Sequence, residues 1–192
     1  LFSNIAEVDS GLGDDAVSGS NVWHLLTGGF ESSGINFYGV ETAESESAAT
    51  ITGTVLVDTF TLSGDKQVDT KGTTFTGVTN IAAGSGDDEI IGAANQAWQL
   101  SGTDNEITAN NIAFTEVEKA ANGTIAGTDN ADSFIITDAA GTENQVTANA
   151  ILFSNIAEVD AGLGDDAVSG SNVWNLLAGG FESSGINFYG VE

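Results

Sequence analysis

The chain has 192 residues and a net charge of −25, set by 28 acidic side chains against Lys66, Lys71 and Lys119, with no Arg. Such a surface repels phosphate, which excludes nucleic acid and anionic lipid as partners and favours cations. With no Cys there is no disulfide framework and no thiolate metal site, and no window reaches the ~18 consecutive apolar residues of a membrane-spanning helix, so no membrane insertion is expected of this segment.

An apolar content of 41% is too high for an acidic disordered tail, so the charge is carried on folded structure. Taken from its start, the chain opens with a stretch that returns almost unchanged at its end. Residues 1–41 recur as 152–192, an offset of 151, and differ only where Ser10 becomes Ala161, His24 becomes Asn175 and Thr27 becomes Ala178. Near-identity at a fixed offset is the mark of a tandem array. We expect one continuous array over 1–192, excerpted from a longer protein whose targeting signals and end caps lie outside it.

A shorter period lies beneath the long one. Phe2, Phe37, Phe75, Phe114, Phe153 and Phe188 recur every 35 to 39 residues, each followed three positions on by Ile5, Val40, Val78, Val117, Ile156 or Val191. The units so defined are about 2–36, 37–74, 75–113, 114–152 and 153–187. Midway through each falls Trp23, Phe60, Trp98, Phe134 or Trp174, with Leu25, Leu62, Leu100, Ile136 or Leu176 two positions later. Apolar residues at alternate positions mark a strand with one buried face. Strand-like runs are 22–26, 35–40, 50–62, 73–82, 97–100, 111–117, 133–137 and 146–159 in pieces, separated by Gly, Asn, Asp and Ser clusters of turn character. No apolar pattern of helical period persists, so little or no helix is expected.

Short strands between regular turns also suit a sandwich or barrel. Near-constant unit length, and Asn, Ser and Thr recurring at matching places, favour a stack in which equivalent residues form ladders. The expected fold is therefore an all-β parallel β-solenoid of ~38-residue units, each making two coils of ~19 residues. Gly at the tight corners supplies left-handed backbone.

Gly-x-Gly-Asp-Asp runs at 11–15, 84–88 and 162–166 alternate with Gly127-Thr-Asp-Asn-Ala-Asp-Ser-Phe134. In this the chain resembles giant bacterial surface adhesins, the haemagglutinin-like β-strand-repeat proteins of secreted stalks and fibres. The resemblance implies an extracellular, elongated, passive role. It also implies partners that are other copies or segments of the same giant protein, in a homo-oligomeric fibre, with a cell-surface or glycan target bound by regions outside this window.

The acidic runs are the candidate chemistry. Gly11, Gly13, Asp15 and Val17 match the Gly-Gly-x-Gly-x-Asp-x-U-x nonapeptide of calcium-binding RTX β-rolls, with the first Gly missing. Calcium wants hard carboxylate and carbonyl oxygens and would relieve the like-charge pairs Asp14/Asp15, Asp87/Asp88 and Asp165/Asp166. Against this, no second nonapeptide follows, and Asp in such turns also serves to accept turn amides. Ca2+ at these six residues is the one cofactor expectation.

No catalytic residue is expected, and the chain is not read as an enzyme. His24, the only histidine, is Asn175 in the later copy, so no repeated mechanism uses an imidazole. Polysaccharide lyases built as β-solenoids set Arg or Lys beside calcium, and this chain lacks Arg. The three Trp suit a glycan-stacking face or a core, and the Leu two positions on favours the core. Paired Thr at 50–54 and 74–76 resemble an ice-binding face but do not recur. The expectation is a structural spacer in a surface fibre; the alternatives are a calcium- or glycan-binding face and, last, a polysaccharide-acting enzyme.

Overall fold

The computed structural model describes residues 4–137, 144–171 and 173–192, so the Phe2 anchor and Asn172 lie outside the described residues. Among the described residues every regular element is a strand, and the strands stack as a β-solenoid. Contacts divide the chain into two compact units, residues up to Asp88 with Asn110–Glu116, and Glu89–Ala109 with Val117–Glu192.

In the first unit, Val22–Leu26, Gly29–Ser32 and Ile35–Tyr38 form an antiparallel meander. Thr59–Gly64, Gln67–Thr70 and Thr73–Ala82 form a second. Two long strands tie them together: Thr42–Thr52 runs parallel to Thr73–Ala82, and its register shifts between Glu44 and Thr50. That break lets each long strand serve two faces. The first half of Thr42–Thr52 pairs with Ala16–Ser18, and the second half pairs with Val22–Leu26. The first meander therefore sits on one face and the second on the other.

The second unit repeats the arrangement. Lys119–Ala126 and Ile151–Asp160 are its long strands, with a register shift between Gly123 and Thr124. The hairpin of Ala97–Leu100 and Ile107–Ala109 lies on the face of Thr124–Ala126. Ser133–Ile136, Val146–Ala148 and the start of Ile151–Asp160 form a meander on the other face. Asn175–Leu177, Gly180–Ser183 and Ile186–Tyr189 return to the first, where Ile186–Tyr189 pairs with the end of Ile151–Asp160.

Parallel partners lie between 26 residues apart, as in Ala16 with Thr42, and 34, as in Ser133 with Ala167. A turn of the solenoid thus takes about 30 residues, and the expected division into coils of ~19 does not hold. The reason is the middle strand of each meander, which runs antiparallel: half of each unit folds back on itself instead of completing another coil.

The core lies between the two faces. Trp23, Phe60, Phe75, Trp98, Phe114, Phe134, Phe153 and Phe188 are all buried, as are Val40, Val78, Val117 and Ile156. Burying each large side chain contributes ~1.5 to 3 kcal/mol. The buried indole N–H groups find acceptors, Trp23 on Ser45 Oγ at 3.0 Å and Trp98 on the Asn122 carbonyl at 2.6 Å. Phe37 is only half-buried, and Trp174, expected inward, is 43% exposed.

Candidate functional site

The acidic runs sit where the chain crosses between the two faces. Gly53-Thr-Val-Leu-Val-Asp58 lies on Ala83-Gly-Ser-Gly-Asp-Asp88, and the contact is backbone on backbone: Gly53 N donates to the Ala82 carbonyl at 2.7 Å. A Cβ at Gly53 would stand 1.8 Å from the Ala83 carbonyl oxygen, so only Gly allows this approach. Within the loop, Thr54 N donates to Asp58 Oδ2 at 2.5 Å, and Asp58 N donates to Asp88 Oδ1 at 2.7 Å. The Lys71 ammonium lies 2.6 Å from Asp58 Oδ1 and neutralises a carboxylate with no exposed surface.

The second unit builds the same pair from Gly127-Thr-Asp-Asn-Ala-Asp132 on Ala161-Gly-Leu-Gly-Asp-Asp166. Thr128 N donates to Asp132 Oδ2 at 2.6 Å, Asp132 N to Asp166 Oδ1 at 2.8 Å, and Gly127 N to the Asp160 carbonyl at 2.7 Å. The counterpart of Lys71 is Asn149, since each lies four residues before its Phe anchor with φ near 50°. Among the described residues no ammonium is placed on the Asp132 carboxylate as Lys71 is placed on Asp58. A polar hollow of about 440 Å³ opens instead, lined by Asp104, Thr128, Asn130, Asp132 and Asn149.

Of the six residues singled out for calcium, the two members of each pair part company. Asp14, Asp87 and Asp165 are exposed, whereas Asp88 and Asp166 are buried and Asp15 is half-buried. Asp88 and Asp166 each accept a backbone amide from the neighbouring loop, and Asp15 N instead donates to Glu41 Oε2 at 2.8 Å. One oxygen of Asp15 and one of Asp166, Oδ2 in both, is buried without a hydrogen bond. Among the described residues no cluster of three or more His, Asp or Glu gathers around one point.

Sequence reasoning missed Asp58, Lys71 and Glu41. The Gly-Thr-x-x-x-Asp spacing shared by 53–58 and 127–132 would have shown the first. His24 stands on the outer surface, 4.0 Å from Glu31. Trp23 and Trp98 are core, so neither ring is open to a sugar.

A second repeated device holds the hairpins. Lys66, Asn105 and Asn144, each nine residues before a Phe anchor, have φ between 52° and 62°. Their carbonyls accept from Val78, Val117 and Ile156, the apolar partners of those anchors, at 3.0 to 3.2 Å. Their amides donate to the carbonyls of Asn110, Asn149 and Ser184, the left-handed turn residues of the following hairpin. Asn tolerates this backbone better than other non-Gly residues, which explains its recurrence there.

No protein-family model, no curated protein and no solved structure matches this chain. Among the described residues no helix is long and apolar enough to cross a membrane.

Proposed function

We propose that this chain is a structural segment, a spacer within a giant secreted bacterial surface fibre or adhesin stalk, whose stacked repeats set reach and whose partners along the fibre are segments of the same kind. The observation that supports it is the repeated turn device. At Lys66, Asn105 and Asn144 the polar turn groups are spent on the chain's own next hairpin, and the paired acidic loops likewise direct amides and carboxylates at each other. Polar groups committed in this way hold a stack together. An outer surface of high negative charge keeps such segments apart and soluble.

The test is length. Chains carrying one, two and three of the 151-residue repeats, imaged by electron microscopy, gain equal increments of length per added repeat. Unequal increments, or binding of the present chain to cells or glycans with no other region attached, would sink the spacer reading.

A calcium-binding face is the second reading, favoured by the buried Asp15 and Asp166 oxygens that lack a hydrogen bond. A hard cation held by Asp166 and nearby turn carbonyls would satisfy that oxygen and offset the acidity of the loops. On this reading the ion stiffens the spacer.

A further inference from the structure

The two copies of the 41-residue stretch have the same apolar residues in different surroundings. Leu25 is 5% exposed and its counterpart Leu176 is 90% exposed; Trp23 is 1% exposed and Trp174 is 43% exposed. The rings inside each copy are arranged alike. Trp23 meets Phe30 edge-on at 5.3 Å, and Trp174 meets Phe181 edge-on at 5.2 Å. What differs is the cover. The first copy lies under Thr42–Thr52 and Thr73–Ala82: Trp23 is in register with Ile51, Thr50 N donates to the Asn21 carbonyl at 2.9 Å, and Ser45 Oγ donates to the Ser20 carbonyl at 2.7 Å. Phe75 then closes over both rings, 5.3 Å from Phe30 and 6.0 Å from Trp23. Over the second copy, Val168, Trp174, Leu176, Phe181 and Val191 line an open apolar hollow, and the strand there begins at Asn175, two residues later than Val173, the counterpart of Val22.

We propose that this apolar face is a stacking surface whose occupant is a segment with the sequence of residues 42–82, placed over Trp174 as Thr42–Thr52 and Phe75 are placed over Trp23. The three substitutions between the copies, at Ser10, His24 and Thr27, spare every apolar residue of the face; His24, in register with Thr52, becomes Asn175, whose backbone can pair in the same way. A second molecule does not supply the cover as it stands, because its own Thr42–Thr52 is already held between Val22–Leu26 and Thr73–Ala82. Edge strands and apolar patches left open this way take up pairing chains. The inference rests on the chain being a stack of repeats and is indifferent to what the stack is for.

The test uses the full chain labelled with 5-fluorotryptophan, whose three indoles give three 19F signals, with Trp174 assigned by W174F. It is compared with the same chain extended beyond Glu192 by a second copy of residues 42–82, and with that extension carrying Ile51→Asp and Phe75→Asp in the added part only. The unaltered extension alone is expected to make the Trp174 signal as insensitive to a soluble paramagnetic quencher as the buried Trp98 signal. Equal quenching of Trp174 in the two extended chains overturns the proposal. So does protection of Trp174 in the unextended chain that vanishes on dilution, since a second molecule would then be the occupant. Because this readout is local, it can fail while the length increments of the spacer test stand, and the reverse.

Discussion

Lys71 places its ammonium 2.6 Å from the carboxylate of Asp58, which has no exposed surface, and it does so from a left-handed turn that every unit possesses but only this one fills with a cation. Removing one partner of a buried pair leaves an uncompensated charge. Lys71→Met should lower stability by about 3 kcal/mol, the low end of that class because the Lys71 side chain is 23% exposed. Adding Asp58→Asn should restore most of the loss, since the amide oxygen can still accept from Thr54. Chemical denaturation of the two single variants and the double variant measures this, and strictly additive losses would show the pair to be uncoupled.

The second unit offers the reciprocal experiment. Asn149→Lys puts an ammonium where Lys71 has one, in a polar hollow that already holds Asp104 and Asp132. The left-handed backbone at this position accepts Lys in the first unit, so strain is small. A gain of about 1 kcal/mol is expected, read as a higher melting temperature that shrinks as salt is added. No gain at low salt would mean that Asp132 is satisfied without a cation.

Glycines separate close approach from simple turn geometry. A Cβ at Gly53 would meet the Ala83 carbonyl oxygen at 1.8 Å, and one at Gly127 would meet the Ala161 carbonyl oxygen at 2.0 Å, whereas Gly72 has φ of 83° and open space around it. Gly53→Ala and Gly127→Ala should each cost about 3 kcal/mol by forcing the stacked loops apart. Gly72→Ala should cost about 1 kcal/mol, the ordinary penalty of left-handed backbone for a residue with a Cβ. Thermal melts order the three variants, and a Gly72 variant as damaged as the others would contradict the distinction.

Glu182 carries a pH effect with a visible local cause. The Asn175 side-chain amide donates to it at 2.6 Å and the Gly185 amide at 2.8 Å, and these two bonds hold its carboxyl below the ordinary Glu range. A carboxyl lowered on folding contributes stability above its unfolded-state value, and that contribution is lost as pH falls through the lower, folded value. The hairpin around Glu182 should therefore loosen only in acid below the usual Glu range. A carbon-13 titration of its carboxyl checks the direction, and Asn175→Ala should move the midpoint upward; an unmoved midpoint would assign the effect elsewhere.

Calcium is tested by melting the chain with the ion and again with chelator. If the buried oxygens of Asp15 and Asp166 take a cation, calcium raises the melting temperature and Asp166→Asn removes most of the rise. Superimposable curves would take metal out of the account and leave Asp166 as an acceptor for the Asp132 amide alone.

The periodic apolar residues were legible because burial acts on them directly. Val22–Leu26, Thr73–Ala82 and Ala97–Leu100 fall where the alternation puts them, and the solenoid follows from unit length and ladder residues. The run 50–62 read as one strand, yet Gly53 to Asp58 is a loop that leaves Val55, Leu56 and Val57 exposed. Three apolar residues in a row imitate a strand, and only the Gly-Thr-x-x-x-Asp frame around them marks a turn. Short middle strands such as Gly29–Ser32 and Gln67–Thr70 escaped notice, and with them the antiparallel fold-back, because four residues are too few to show a period. At the acidic loops the residue types were legible and the partners were not. That Asp88 would accept from Asp58, 30 residues away, depends on the length of the turn, which the missing strands had concealed.

The alternation of hairpins between faces bears on how such a chain can lengthen by duplication. In the second unit the hairpin begun by Ala97–Leu100 and the meander begun by Asn175–Leu177 share a face, while the meander between them, begun by Ser133–Ile136, occupies the other. An insertion of one 38-residue unit would present every downstream hairpin to the wrong side of its neighbours, whereas an insertion of two or four restores the parity. The near-identical copies here are four units apart, an even number. Duplication in even steps thus keeps each downstream hairpin on the face it already occupies.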